Sequence, residues 1–382
     1  MDNTIITKEQ TNKTINAIHN NITPVNKDLA WKCVQDALFL KDKDLEFEAR
    51  YTHFKQLTYG GYGNESAQFF PWFVKFLDNN PNRNQIYEIL WIHKWVFEDV
   101  IVIAKISKSH IMQIFDEMKQ RYLDYQASSE RVISNYKSRM YFYFGEPKKA
   151  YSAFQKYKNA DSAYCELDDC YACMVNGVLE VLTYNRAYKE LLKFAEPISS
   201  GKLRCDNVPG ATYSHLIQAC IILGKNELSD KYALDACDKL THDEINFEGF
   251  HFVLIQLALS KRFLKGREII EKQLIHYYDG MATYYQMLFF HGCMIYFQAL
   301  IHEGEDDVQL NLSEYKDKSF IVKDDANYKS SYLVEFFNSK ANAAINAFDQ
   351  RNGNTFFQEF FTRNTRLLQS LLQESKISDE ER

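Results

Sequence analysis

The chain has 382 residues, 46% hydrophobic and 15% aromatic, which excludes an intrinsically disordered protein and allows a large core. Its 45 basic and 51 acidic residues give a net charge of −6, so no basic excess exists to neutralise phosphates and general nucleic-acid binding is not expected. Only 6 prolines and 14 glycines punctuate it, too few for an all-β sandwich or barrel, so the expectation is an all-α fold.

Residues 1–27 are rich in Asn, Thr and Ile and lack the basic start and apolar stretch of a signal peptide; they read as a polar, flexible tail. No run of about 18 apolar residues follows, so no membrane insertion is expected. Without export the chain is expected in the cytoplasm. Its eight cysteines then sit in a reducing compartment, where grouped thiols suggest metal or redox chemistry before disulfides.

An N-terminal helical region is predicted over 28–127, with helices at 28–58, 65–78, 85–104 and 108–126. Trp91 and Trp95 form a buried stripe four residues apart, with His93 as a hydrogen-bonded interior neighbour. Tyr59-Gly-Gly-Tyr-Gly63 lacks the Lys-Ser/Thr ending of a phosphate-cradling loop and reads as a turn.

Over 128–301 a weak repeat emerges. Short polar turns fall at Gly145, Asn185, Gly224 and Arg262, spaced 40, 39 and 38 residues apart. That interval suits a helical hairpin plus its connection to the next. The second helix of each unit has a period near 3.6: Ala150, Tyr151 and Phe154; then Ala187, Leu191, Phe194 and Ala195; then Leu228, Tyr232 and Ala233; then Leu264, Ile269, Ile270 and Leu274. A single hairpin cannot bury both faces, so the units must stack. The basic cluster Lys261, Arg262, Lys265 and Arg267 reads as a solvated turn between helices. Residues 302–331 are acidic and form either a loop or a small hairpin pairing Val308–Leu312 with Ser319–Val322. Helices resume over 332–373, and 374–382 is a charged tail.

Four stretches carry a resemblance: Asp169-Cys-Tyr-Ala-Cys173; Tyr188 through Ala195-Glu196-Pro197; Ser200-Gly-Lys-Leu-Arg-Cys205 with Val208-Pro209; and Phe348-Asp-Gln-Arg-Asn-Gly353. Together with the aromatic region from Tyr59 to Trp72, they resemble a group of bacterial tetratricopeptide-type proteins in which a Cys-x-x-Cys opens one repeat and a downstream Cys leads into the next. About 50 residues match well. The resemblance implies a TPR-like α-solenoid, a right-handed superhelix of five or six hairpins, and implies no activity. Gly210 stands where those proteins often place a His, and most Trp-Leu-Gly-Tyr positions of the standard repeat are missing.

The strongest chemical candidate is Cys170, Cys173 and Cys205, with Cys165 or His215 as a fourth member. Two thiolates three positions apart at a helix start can grip one zinc ion, and Cys205 follows Cys173 by close to one repeat length. The thiols are therefore expected to converge at one edge of the stack, where helix N-termini would lower their pKa values. A redox dithiol and simple packing cysteines are the alternatives. Cys33, Cys220, Cys237 and Cys293 are isolated on apolar segments and read as core.

No His-Glu-x-x-His and no Gly-x-Ser-x-Gly occurs, and His291 and His302 lack partners at i+4. Glu98-Asp99 and Asp168-Asp169 read as solvated faces or caps. First helices of stacked hairpins usually form the inner wall, which nominates Tyr136, Arg139, Tyr143, Tyr213, His215, Phe247, His251, Tyr284 and Tyr285 as binding residues. The function expected is a non-enzymatic scaffold or regulator holding a protein or peptide on that wall, with no required cofactor beyond a structural zinc. Alternatives are an immunity or antitoxin-like protein that neutralises a toxin, and a zinc- or thiol-dependent enzyme built on the cysteines.

Overall fold

Thr7 and Thr23 each turn a side-chain oxygen onto a backbone N–H three residues on, and helices start at both places. In the computed structural model, residues 6–80, 85–125, 130–160, 166–240, 249–277 and 282–380 are described, with side chains as far as 373 except at 24 and 64. The chain is all-α apart from one two-stranded ribbon among these residues. It divides into two compact units, Met1–Ile103 and Ala104–Arg382.

The first unit contains α1 (Lys8–Ile18), α2 (Pro24–Leu40), α3 (Lys43–Tyr59), α4 (Gly63–Asn79) and α5 (Ile86–Ile101). The expected polar tail thus forms a helix, because Ile15 and Ile18 give it an apolar edge that the unit buries. The single helix expected over 28–58 is two. Lys41 adopts a left-handed conformation, and the Asp42 carboxylate accepts the N–H groups of Asp44 and Leu45, so a fresh helix begins with no Gly or Pro to announce it. Phe47, Phe54 and Phe73 are fully buried at the centre, with Phe47 and Phe54 each edge-on to Phe73.

The second unit begins with α6 (Lys108–Asp124), which sequence reasoning had grouped with the N-terminal region. There follow α7 (Glu130–Tyr143), α8 (Pro147–Asn159), α9 (Tyr171–Tyr184), α10 (Tyr188–Phe194), α11 (Glu196–Ser199), α12 (Tyr213–Ile222), α13 (Asn226–Leu240), α14 (Phe250–Leu259), α15 (Phe263–Gln273) and α16 (Thr283–His302). First helices touch in series, α7 to α9, α9 to α12, α12 to α14 and α14 to α16, while α8, α10, α13 and α15 each pair with the first helix before them.

All four predicted turns are built alike. Gly145, Arg186, Gly224 and Lys261 take a left-handed conformation. In each, the next N–H reaches back five residues, as in Glu146 to Tyr141, Ala187 to Leu182, Lys225 to Cys220 and Arg262 to Leu257. This contact satisfies a carbonyl that the helix end orphans. One expected core position fails: Leu264 is 72% exposed, and Ile269 and Ile270 carry the buried face of α15.

β1 (Asp307–Gln309) pairs antiparallel with β2 (Asn327–Lys329), setting Val308 opposite Tyr328. The hairpin expected between Val308–Leu312 and Ser319–Val322 therefore exists with a different second strand. Tyr328 is completely buried, whereas Ile321 is 67% exposed, so burial selects the later segment. α17 (Ser330–Asn352) and α18 (Phe356–Glu380) complete the unit, and the expected charged tail continues α18 as helical backbone to Glu380.

Candidate metal centre and the buried inner wall

Cys170 caps the start of α9 and Cys173 lies in its first turn. Cys205 lies on the turn after α11, where its N–H and carbonyl both pair with Val208. The sulfurs of Cys170, Cys173 and Cys205 all lie within 4.8 Å of one another, and those of Cys173 and Cys205 are 3.4 Å apart. Tetrahedral zinc with Zn–S bonds of about 2.3 Å sets sulfurs about 3.8 Å apart, so small side-chain adjustments would bring the three to that spacing. The N–H groups of Asn207 and Val208 point to the Cys205 sulfur, an arrangement that favours its thiolate. Cys170 is exposed while Cys173 and Cys205 are half-buried, so one edge of the cluster faces solvent.

The lowering expected of the thiol pKa values is reversed at Cys173 and Cys205. Burial, with the neighbouring thiols, pushes Cys173 well above the ordinary thiol range, and burial also raises Cys205. Desolvation outweighs the helix dipole here. A bound divalent cation would reverse that balance, since its charge is the largest local term.

His215 is not a fourth ligand. It lies beside Thr183 at the far end of α9, with Nδ1 3.0 Å from the Thr183 hydroxyl. Ten residues of helix separate Thr183 from Cys173, roughly 15 Å of rise. Cys165 falls outside the described residues, as does Phe247. Cys33, Cys220, Cys237 and Cys293 are buried, as expected of core cysteines.

The other predicted binding residues lie largely inside the molecule. Tyr136, Tyr143, Tyr213, His251 and Tyr284 are buried, and Arg139 and Tyr285 are half-buried. Tyr143 donates to Glu180 Oε1 at 2.8 Å, and Arg139 Nε lies 3.7 Å from Glu180 Oε2. Tyr136 donates to Asp169, Lys239 donates to the Tyr213 hydroxyl, and Tyr184 and Tyr284 share a hydroxyl contact. Tyr285 packs against the large apolar cluster of α12 to α18.

Of these residues, His251 and Tyr284 are covered by Phe361 and Phe357 of α18. Phe356 and Phe357 meet Phe142, Phe356 and Phe360 meet Tyr184, and Phe361 meets His251 and His291. His251 Nε2 lies 2.9 Å from His291 Nδ1, and His291 Nε2 lies 2.9 Å from the Thr365 hydroxyl of α18. Burial lowers the pKa of His215 to about 4 and of His291 to about 3, and holds His251 well below its ordinary value. All three are neutral near pH 7. A cavity of about 20 Å³ lies among Glu180, His215, Gln218 and His251. That exceeds the roughly 10–15 Å³ one water needs, and falls far short of a metabolite.

Sequence reasoning missed two acidic groups. Asp168 is no solvated cap: it is 4% exposed and paired with Arg131 of α7, with the Nε–Oδ1 distance at 3.4 Å. Asp99 lies between α3 and α4, where Thr58 and Ser66 donate to Oδ2 at 3.0 and 2.5 Å. One signal was available for Asp168, whose separation of 37 residues from Arg131 is close to one repeat.

No protein-family model, curated protein or solved structure matches this chain. Among the described residues, no helix is long and apolar enough to cross a membrane.

Proposed function

We propose that the chain is a non-enzymatic interaction protein, a TPR-like stack of helical hairpins that holds a protein or peptide segment and is stapled by a structural zinc ion at Cys170, Cys173 and Cys205. The observation that carries the binding reading is α18 itself. An amphipathic helix with Phe at 356, 357, 360 and 361 lies along the aromatic faces of α7, α9, α14 and α16, so that surface is complementary to a helical segment. Serial contact of first helices supports the TPR-like part. The partner helix is accommodated where α18 lies or alongside it.

The thiol cluster supports zinc through donor type and spacing. A structural site is favoured over a catalytic one because the two carboxylates that precede Cys170, Asp168 and Asp169, are engaged by Arg131 and Tyr136.

Affinity capture with the full chain and with a chain ending at Gly353 tests the binding role. The expected result is a specific partner whose recovery rises when α18 is removed. A folded shortened chain that recovers nothing specific would reject it. Metal analysis of protein purified without chelator tests the staple: about one zinc per chain is expected, and loss of that zinc in Cys173→Ser. Zinc near zero in the parent protein would remove it.

A further inference from the structure

The three sulfurs can react with one another as well as hold a metal. Cys170 is exposed at the N-cap of α9, Cys173 is half-buried behind it, and Cys205 lies 3.4 Å from Cys173 on a separate turn. One exposed thiol and two half-buried thiols therefore lie within 4.8 Å of one another.

We infer that the cluster is a hydroperoxide-sensitive dithiol switch in which Cys170 meets the oxidant and the oxidation is stored as a Cys173–Cys205 disulfide. Hydrogen peroxide converts the Cys170 thiol to a sulfenic acid and releases water. The Cys173 thiol condenses with that sulfenic acid, giving a Cys170–Cys173 disulfide and a second water. Cys205 then attacks the Cys173 sulfur, forming Cys173–Cys205 and returning Cys170 as a thiol. Two thiols lose two electrons and two protons, and one peroxide becomes two waters. Exchange moves the disulfide onto the two half-buried sulfurs because the exposed one meets small oxidants first and the other two already lie 3.4 Å apart. The product links the start of α9 to the turn before α12 and removes two of the three sulfurs as thiolate ligands, so oxidation and zinc binding exclude each other. Only that last consequence rests on the zinc reading above; the disulfide chemistry does not.

The experiment treats reduced, full-length protein with hydrogen peroxide and maps its peptides by mass spectrometry without reduction, with metal content measured before and after. The expected result is a crosslink between the peptides bearing Cys173 and Cys205, with loss of any bound zinc. Cys170→Ser should slow its formation by about tenfold or more, and Cys205→Ser should stop the reaction at Cys170–Cys173. Both changes are near-isosteric, and circular dichroism checks that the fold persists. Irreversible oxygenation of Cys170 with no internal disulfide, or crosslinks only between molecules or to other cysteines, would overturn the inference. A disulfide in protein that never bound zinc would leave the switch standing and remove the staple; zinc without any disulfide would do the reverse.

Discussion

Asp99 shows how one residue can set a pH response. Burial, against hydrogen bonds from Ser66 and Thr58, raises its pKa to about 7 from an ordinary 3.8. The unfolded chain gives up that proton before the folded chain does. The favourable contribution is therefore complete below about 3.8 and is lost as pH rises through about 7. Asp99→Asn should flatten the stability of the first unit between about pH 4 and 7, read as thermal midpoint against pH; an unchanged slope would exclude Asp99 as its source. The buried histidines of the second unit have the opposite sign. With pKa values lowered to about 4 at His215 and about 3 at His291, their contribution is present above the ordinary 6.5 and is lost as pH falls towards those values. Each neutral histidine steepens the acid side by roughly 1.4 kcal/mol per pH unit below its unfolded pKa. His291→Gln should lessen that steepness while costing stability at pH 7, because Thr365 and His251 lose a partner.

Elements join through one repeated turn, and its residues differ in how well they suit it. Gly145 and Gly224 adopt the left-handed conformation without a Cβ penalty, whereas Arg186 and Lys261 bear one of about 1–2 kcal/mol. Arg186→Gly should therefore stabilise the chain by about 0.5–1 kcal/mol after the added flexibility of the unfolded state is subtracted. Gly145→Ala should destabilise by more than a simple turn strain. The added Cβ would lie 2.8 Å from Asn354 Oδ1 and Phe356 Cβ, where α18 begins. Denaturant midpoints of the two variants, moving in opposite directions, check both statements. The segment Phe348 to Gly353 has a mechanical role at this same corner. Asp349 accepts the N–H groups of Phe357 and Gln358, Arg351 and Asn352 donate to the Tyr143 carbonyl, and Gly353 turns the chain between α17 and α18.

At the scale of the second unit, α18 decides which surfaces are available. Phe361 is 2% exposed and meets both His251 and His291, so Phe361→Ala should cost about 3–5 kcal/mol and loosen α18 along its length. Hydrogen exchange should then rise in α18 and along the faces of α9 and α14 that it covers. Exchange confined to the immediate neighbourhood of residue 361 would mean that α18 is held piecewise and is not displaced as a unit.

Periodicity, turn residues and cysteine spacing determined much of this protein unaided. The all-α class, the hairpin turns near 145, 185, 224 and 262, and the meeting of Cys170, Cys173 and Cys205 were legible because each follows from local rules repeated at a near-constant interval. The break at Lys41, the helix at 8–18 and the choice of Tyr328 as the partner of Val308 were not, since each depends on which apolar surface a distant neighbour offers. The same holds for the inner wall. The sequence nominated Tyr136, Tyr143, His251 and Tyr284 as surface residues because first helices line an exposed face in an open stack. Only the tertiary structure placed α18 over His251 and Tyr284, and it does so because a helix bearing four phenylalanines has no better place to exclude water than the aromatic faces of α7, α9, α14 and α16.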